Sequence, residues 1–101
     1  MIVNRRTWGF KPGKGRKAAA LAREEYVAGK ARDGGYRGPL RLYLQEGDEQ
    51  DTLALEHEYE SVEVCDASWK RWFSRPTTRA YAAKWHALRQ GAETNEYWEI
   101  V

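Results

Sequence analysis

Apolar and polar side chains alternate from Ile2 to Phe10, and the alternation stops at Lys11-Pro12-Gly13. Proline lacks a backbone donor and glycine permits a tight turn, so a first strand ends there. From Lys14 to Val27 the run Ala18-Ala19-Ala20-Leu21-Ala22 favours helix, with a narrow apolar stripe on Ala18, Leu21 and Ala22 and a stop at Gly29. Lys30 to Pro39 is rich in glycine and basic residues and reads as a connection. Strict alternation returns over Leu40 to Gln45, and a further strand runs from Thr52 to Glu60 beyond the polar turn Gly47 to Asp51. Two strands joined this closely read as a hairpin.

Ser61 then has the character of a helix N-cap, with Glu63 in the first turn where its charge suits the helix dipole. Val62, Cys65, Trp69, Trp72 and Phe73 recur at helical spacing. Ser74-Arg75-Pro76 breaks the helix, because proline disfavours helical geometry in the residue before it and suits the first turn of a new helix. A second segment is expected from Pro76 to Gln90, carrying Tyr81, Trp85 and Leu88, with Gly91 as its end and a last strand from Glu96 to Val101. The order is βαββαβ. It predicts a single α+β domain over residues 1–101, a ferredoxin-like sandwich with a four-stranded antiparallel sheet and helices on one face.

Alternation divides each strand into two faces. Asn4, Arg6, Trp8 and Phe10, Leu40, Leu42 and Leu44, Leu53, Leu55, His57 and Tyr59, and Trp98 with Ile100 are assigned to the face under the helices. The other face carries Arg5, Arg41 and the glutamates Glu56, Glu58 and Glu60, an arrangement suited to cross-strand pairing or to a polar dimer interior. Asn4, Arg6, His57 and Tyr59 interrupt an otherwise apolar face. A buried polar group costs roughly 1–3 kcal/mol unless partnered. Their clustering predicts either a satisfied sheet margin or a cleft between sheet and helices.

Composition narrows the function classes. In 101 residues there are 17 basic and 15 acidic side chains, not the basic excess of a nucleic-acid binder. The acidic strand Thr52 to Glu60 would repel phosphate, which excludes an RNA recognition module. Five Trp and six Tyr are a heavy aromatic load, of the kind found at interfaces and ligand pockets. No apolar run reaches the ~18 residues of a membrane span. Met1 to Arg6 lacks the apolar stretch of a signal peptide and Cys65 has no intramolecular partner, so a cytoplasmic protein is expected.

Candidate chemistry is sparse. Lys11-Pro12-Gly13-Lys14-Gly15 lacks the spacing of a phosphate-binding loop and reads as a turn. His57 and His86 have no second ligand at metal-binding spacing, so neither a metal site nor a cofactor is expected. His57, beyond two leucines on the presumed cleft face, is the better general-base candidate; His86 is expected on a helix flank beside Trp85. Trp69 and Trp72 read as core or as the wall of a pocket.

Arg6-Thr7-Trp8-Gly9-Phe10-Lys11-Pro12-Gly13-Lys14 resembles the first strand and turn of NIPSNAP-like domains, which tend to read Arg-Thr-Tyr-x-Leu-Lys-Pro-Gly. Glu58-Tyr59-Glu60-Ser61 before an aromatic-rich helix broken near Pro76 is similar to the same family's strand-to-helix passage. The resemblance implies a dimeric α/β barrel, in which two ferredoxin-like sheets face each other with helices outside. That superfamily includes antibiotic-biosynthesis monooxygenases, haem-degrading oxygenases and lactone isomerases, with sites in the sheet–helix cleft. Asn4 and Trp69 or Trp72 are compatible with the haem-degrading pattern, but Arg79 and Ala82 stand where its histidine would be, and His86 does not match.

The expectation is therefore a NIPSNAP-like homodimer, paired through its sheet face, that holds a small, mostly apolar ligand in a cleft bordered by Asn4, Arg6, His57, Tyr59 and Trp72. One alternative is a cofactor-independent monooxygenase or isomerase, with His57 as base and Arg6 or Asn4 holding an oxyanion. Another is a structural or interaction dimer without a ligand. Neither nucleic acid nor a membrane is expected as a partner.

Overall fold

The computed structural model describes residues 1–27 and 36–101. Strand β1 (Ile2–Phe10) leads to helix α1 (Gly15–Ala22), which continues as a π-helical turn over Arg23–Val27. Strands β2 (Tyr36–Gln45) and β3 (Asp51–Tyr59) follow, then helices α2 (Val62–Phe73) and α3 (Pro76–Leu88), and strand β4 (Arg89–Glu99). The sheet is antiparallel throughout, in the order β2-β3-β1-β4. This is the ferredoxin-like α+β architecture that the element order predicted.

Local chemistry sets the boundaries. Lys14 N–H donates to the Lys11 carbonyl at 2.9 Å, and Gly13 has φ +81°. Pro12 and Gly13 thus occupy the central positions of a type II turn, the second of which requires positive φ. Ser61 caps α2 as expected, its hydroxyl accepting from Val64 N–H at 3.2 Å. The break before α3 arises because Pro76 has no N–H for the Trp72 carbonyl. The Thr78 hydroxyl donates to that carbonyl at 2.7 Å, and the Arg75 N–H does so at 3.3 Å.

The core lies between the sheet and the helices. Trp8 and Phe10 of β1 meet the Trp85 ring edge-to-face, with centroids 5.3 and 4.8 Å away. Trp85 stacks with Tyr81, Tyr81 meets Trp72, and Trp72 meets Trp69, so the aromatics form a continuous chain. Leu53, Leu55, Ala18, Ala22 and Cys65 fill the space around it, all buried. Aromatic pairs of this geometry add ~0.5–1.5 kcal/mol each beyond the area they bury.

Three sequence expectations need correction. The last helix ends at Leu88, and β4 begins at once, well before Glu96. Gly91, with φ +74°, is not a helix stop but part of an irregularity in which Gly9 alone lies opposite the segment between Arg89 and Glu93. The Arg89 guanidinium closes this bulge by donating to the Gly9 and Gly91 carbonyls. Strand β2 begins at Tyr36, earlier than Leu40. Pro39 is tolerated there because β2 is an edge strand whose pairing with β3 shifts register between Arg37 and Arg41. The expected stop at Gly29, and residues 30–35 of the expected loop, lie outside the described residues.

The third correction concerns strand faces. For β1, β2 and β3 alternation gives the right face. On β4 it does not: Trp98 is opposite Val3 and Tyr97 is opposite Asn4. Trp98 therefore stands on the open face, 59% exposed, and Ile100 is exposed beyond the strand. The burial of β4 explains the misreading: unlike β2, whose leucines pack on the core, it is exposed along most of its length, so its polarity pattern carries no phase.

Candidate functional site

The register of β1 with its two neighbours decides what converges beneath the helices. Asn4 lies between His57 of β3 and Tyr97 of β4, and Arg6 lies between Leu55 and Asn95. Asn4 is fully buried. Its Nδ2 donates to the Glu96 carbonyl at 3.0 Å, and its Oδ1 accepts from Trp69 Nε1 at 3.0 Å. A carbonyl only accepts and an indole N–H only donates, so these two partners fix the orientation of the amide.

That orientation propagates outward. Asn4 Nδ2 also donates to Asn95 Oδ1 at 2.6 Å. Asn95 Nδ2 then donates to the Tyr97 hydroxyl at 3.2 Å, and the hydroxyl donates to Asp66 Oδ1 at 2.6 Å. The chain has one direction, with each proton pointing toward the Asp66 carboxylate on α2. The hydrogen bond to Asp66, reinforced by partial burial, raises the Tyr97 phenol above the ordinary 10.0. The hydroxyl therefore remains a donor throughout the neutral range.

Arg6 hangs from the inner end of this chain. Its Nε donates to Asn4 Oδ1 at 3.4 Å, and its guanidinium lies over the Trp69 ring, 4.0 Å from the centroid. One edge of the guanidinium is thus tethered and one face covered.

Beside Arg6 opens a cleft of 130 Å³ between β1, α2, α3 and the margin of β4. Its walls are Trp8, Trp72, Tyr81 and Trp85, and its polar margin is Arg6, His86 and Glu93, with Phe73 at the rim. Phe73 is exposed and stacks on Trp69. An apolar cavity of about 150 Å³ takes up benzene, so this space matches one six-membered ring.

Of the residues singled out in the sequence, Arg6 and Trp72 line the cleft. Asn4 sits behind Arg6 and touches the cleft only through it. His57 and Tyr59 do not line it. They pack against each other, ring centroids 4.8 Å apart, with His57 only 1% exposed. His86 is exposed on α3 and does line it. Glu93, Asn95, Tyr97 and Asp66 were missed. The signal for Glu93, Asn95 and Tyr97 was their alternation on β4, hidden by placing that strand too late and on the wrong face. Asp66 carried no signal, because one acidic residue on an exposed helix flank is ordinary. Among the described residues, no three His, Cys, Asp or Glu side chains gather where a metal ion would be held. No helix of the described residues is long and apolar enough to cross a membrane.

No family model matches the sequence, and no curated protein matches it. Solved structures do match in fold. A NIPSNAP domain protein from Burkholderia xenovorans superimposes with a TM-score of 0.78 at 15% identity, covering 100% of this chain and 95% of its own. The chain has a NIPSNAP-like fold. A NIPSNAP family protein from Agrobacterium tumefaciens gives a TM-score of 0.72 at 18% identity, over 99% of this chain and 92% of its own. An antibiotic biosynthesis monooxygenase gives 0.71 at 14% identity, over 100% and 99%. The NIPSNAP-like architecture, shared with these monooxygenases, is what the first-strand motif implied.

Proposed function

We propose that this NIPSNAP-like domain binds a small, mostly apolar molecule in the cleft beside Arg6 and works as a homodimer. The observation that carries the reading is the cleft itself: aromatic walls on three elements, one tethered cation at the margin, and room for a single ring. Pockets of this kind, apolar with few polar groups, are where small ligands bind. A purely structural dimer gives no reason to keep a half-buried arginine beside an open aromatic cleft. Native mass spectrometry of protein purified under gentle conditions tests both parts. Dimer mass with a bound small molecule supports the reading. A protein that takes up no single-ring compound, even at millimolar concentration, would remove it.

The open sheet face supports the dimer. Trp98 and Tyr43 are exposed there, at 59% and 45%. Between them Glu96, Arg5, Glu56 and Arg41 stand opposite one another on successive strands, a row of alternating charge. A second copy crossing this row would meet complementary charges and cover the aromatics.

A second reading is catalytic: a cofactor-independent monooxygenase or isomerase acting on a ring in the same cleft. The fold shared with an antibiotic biosynthesis monooxygenase supports it, as does the presence of His86 and Glu93 at the cleft margin. In this reading His86, not His57, is the base within reach of bound substrate. Oxygen uptake with electron-rich phenols, compared between wild type and His86→Gln, separates turnover from simple binding.

A further inference from the structure

Resting on the cleft as a binding site, we infer that its ligand is a single-ring carboxylate, and that Arg6 is the residue that selects it. Three observations converge. The guanidinium is held on two sides, by Asn4 at its Nε and by the Trp69 face, so its free edge is the Nη pair. Two parallel N–H donors on one edge match the two oxygens of a carboxylate, and such bidentate pairs are stronger and more directional than neutral hydrogen bonds.

Second, the Nη atoms have no hydrogen-bond partner among the described residues, and no carboxylate there pairs with Arg6. Arg6 is nevertheless half-buried beside aromatic walls. A cation moved partly out of water without a counter-ion is costly, and a bound anion recovers that cost. Glu93 lies on the same margin but is exposed, and among the described residues it forms no ion pair with Arg6.

Third, the tether is anchored in the core. Asn4 is locked by the Glu96 carbonyl, the Trp69 indole and the Asn95 amide. Arg6 is therefore oriented before any ligand arrives, and little side-chain freedom is lost on binding. Asn4 is a positioning residue, acting on the ligand only through Arg6.

The test uses benzoate and its neutral, near-isosteric analogue benzamide as probes, measured by titration calorimetry. Wild type is expected to bind benzoate about tenfold or more tighter than benzamide, the margin of one good charge-assisted contact. Arg6→Gln is expected to weaken benzoate about tenfold or more further than it weakens benzamide, so that the preference is lost. Arg6→Lys keeps the charge but loses the fork, and gives an intermediate ratio. Should Arg6→Gln fail to fold, the Arg6 side-chain nitrogen signals of labelled wild type provide the same reading, since benzoate is expected to move the Nη resonances further than benzamide does, and equal shifts from the two probes count against the assignment. Equal affinity for the two probes, or a ratio unchanged in Arg6→Gln, overturns the carboxylate assignment and leaves the cleft as a neutral-ligand site. Failure of both probes to bind overturns the cleft reading itself.

Discussion

Arg6 and Trp69 share one acceptor: Arg6 Nε and Trp69 Nε1 both donate to Asn4 Oδ1, while the guanidinium lies over the indole ring. A single buried amide thus holds the cation of the cleft and the tryptophan beneath it in one arrangement. Asn4→Leu replaces the amide by an apolar group of similar size and leaves the buried indole N–H without its acceptor. A loss of roughly 1–3 kcal/mol is expected in urea unfolding. An unchanged midpoint would mean that the amide does not organise this end of the sheet.

Asp51 performs a comparable task at the opposite end. It is buried, its Oδ2 accepts from the N–H groups of Gly13 and Gly15 at 3.1 and 2.9 Å, and its Oδ1 accepts from Gly47 at 3.2 Å. One carboxylate therefore fastens the first turn, the start of α1 and the β2–β3 hairpin. Asp51→Asn leaves an acceptor on one side only and turns an amide NH2 against an N–H on the other. It is expected to cost roughly 1–3 kcal/mol, and Asp51→Ala at least as much. Thermal melts of the two variants side by side measure this.

Glycines at β1 and its turn differ in kind. A Cβ at Gly9 would run into the backbone carbonyl of Gln90, which the bulge of β4 holds in place. A Cβ at Gly13 meets nothing within 4 Å, so only its φ of +81° opposes a side chain. Gly13→Ala should cost about 1–2 kcal/mol, the penalty for a side chain in left-handed geometry. Gly9→Ala should cost more, because backbone has to move. A Gly9→Ala protein melting with or above Gly13→Ala would contradict the close approach.

Tyr97 gives a pH signature. Its phenol is raised above 10.0, first by the hydrogen bond to Asp66 and then by desolvation. A group whose folded pKa lies above its unfolded value binds more protons when folded. The stability it contributes is therefore complete below pH 10 and lost as pH rises through the folded value. Site-specific NMR titration of the Tyr97 ring should place its midpoint above that of free tyrosine, and Asp66→Ala should bring it down. A Tyr97 midpoint unmoved by Asp66→Ala would break the outer link of the hydrogen-bond chain.

The open sheet face yields a test of assembly. Arg5→Glu sets three carboxylates in succession across β4, β1 and β3, with Glu96 and Glu56 on either side. If a second copy covers this face, sedimentation should show a dimer for wild type and a monomer for Arg5→Glu, with Trp98→Glu behaving likewise. Sheet pairing within one subunit should weaken by no more than ~1 kcal/mol per like-charge contact.

The sequence alone determined the order of elements, because proline, glycine and the Ser61 cap act locally and alternation has a fixed period. Leu42, Leu44, Leu53, Leu55, Trp8 and Phe10 fall on the helix side as alternation requires, since those strands bury one face. Tertiary structure decided the rest. The phase of β4 follows from its register against β1, and that register brings Asn95 and Tyr97 to Asn4 and leaves Trp98 outside. The cleft likewise exists only through packing. Arg6 and Trp72 are joined there by His86 and Glu93, whereas His57, on the right face, is buried and does not line it. Alternation reports the side of a sheet, but not how far along that side the covering helices reach.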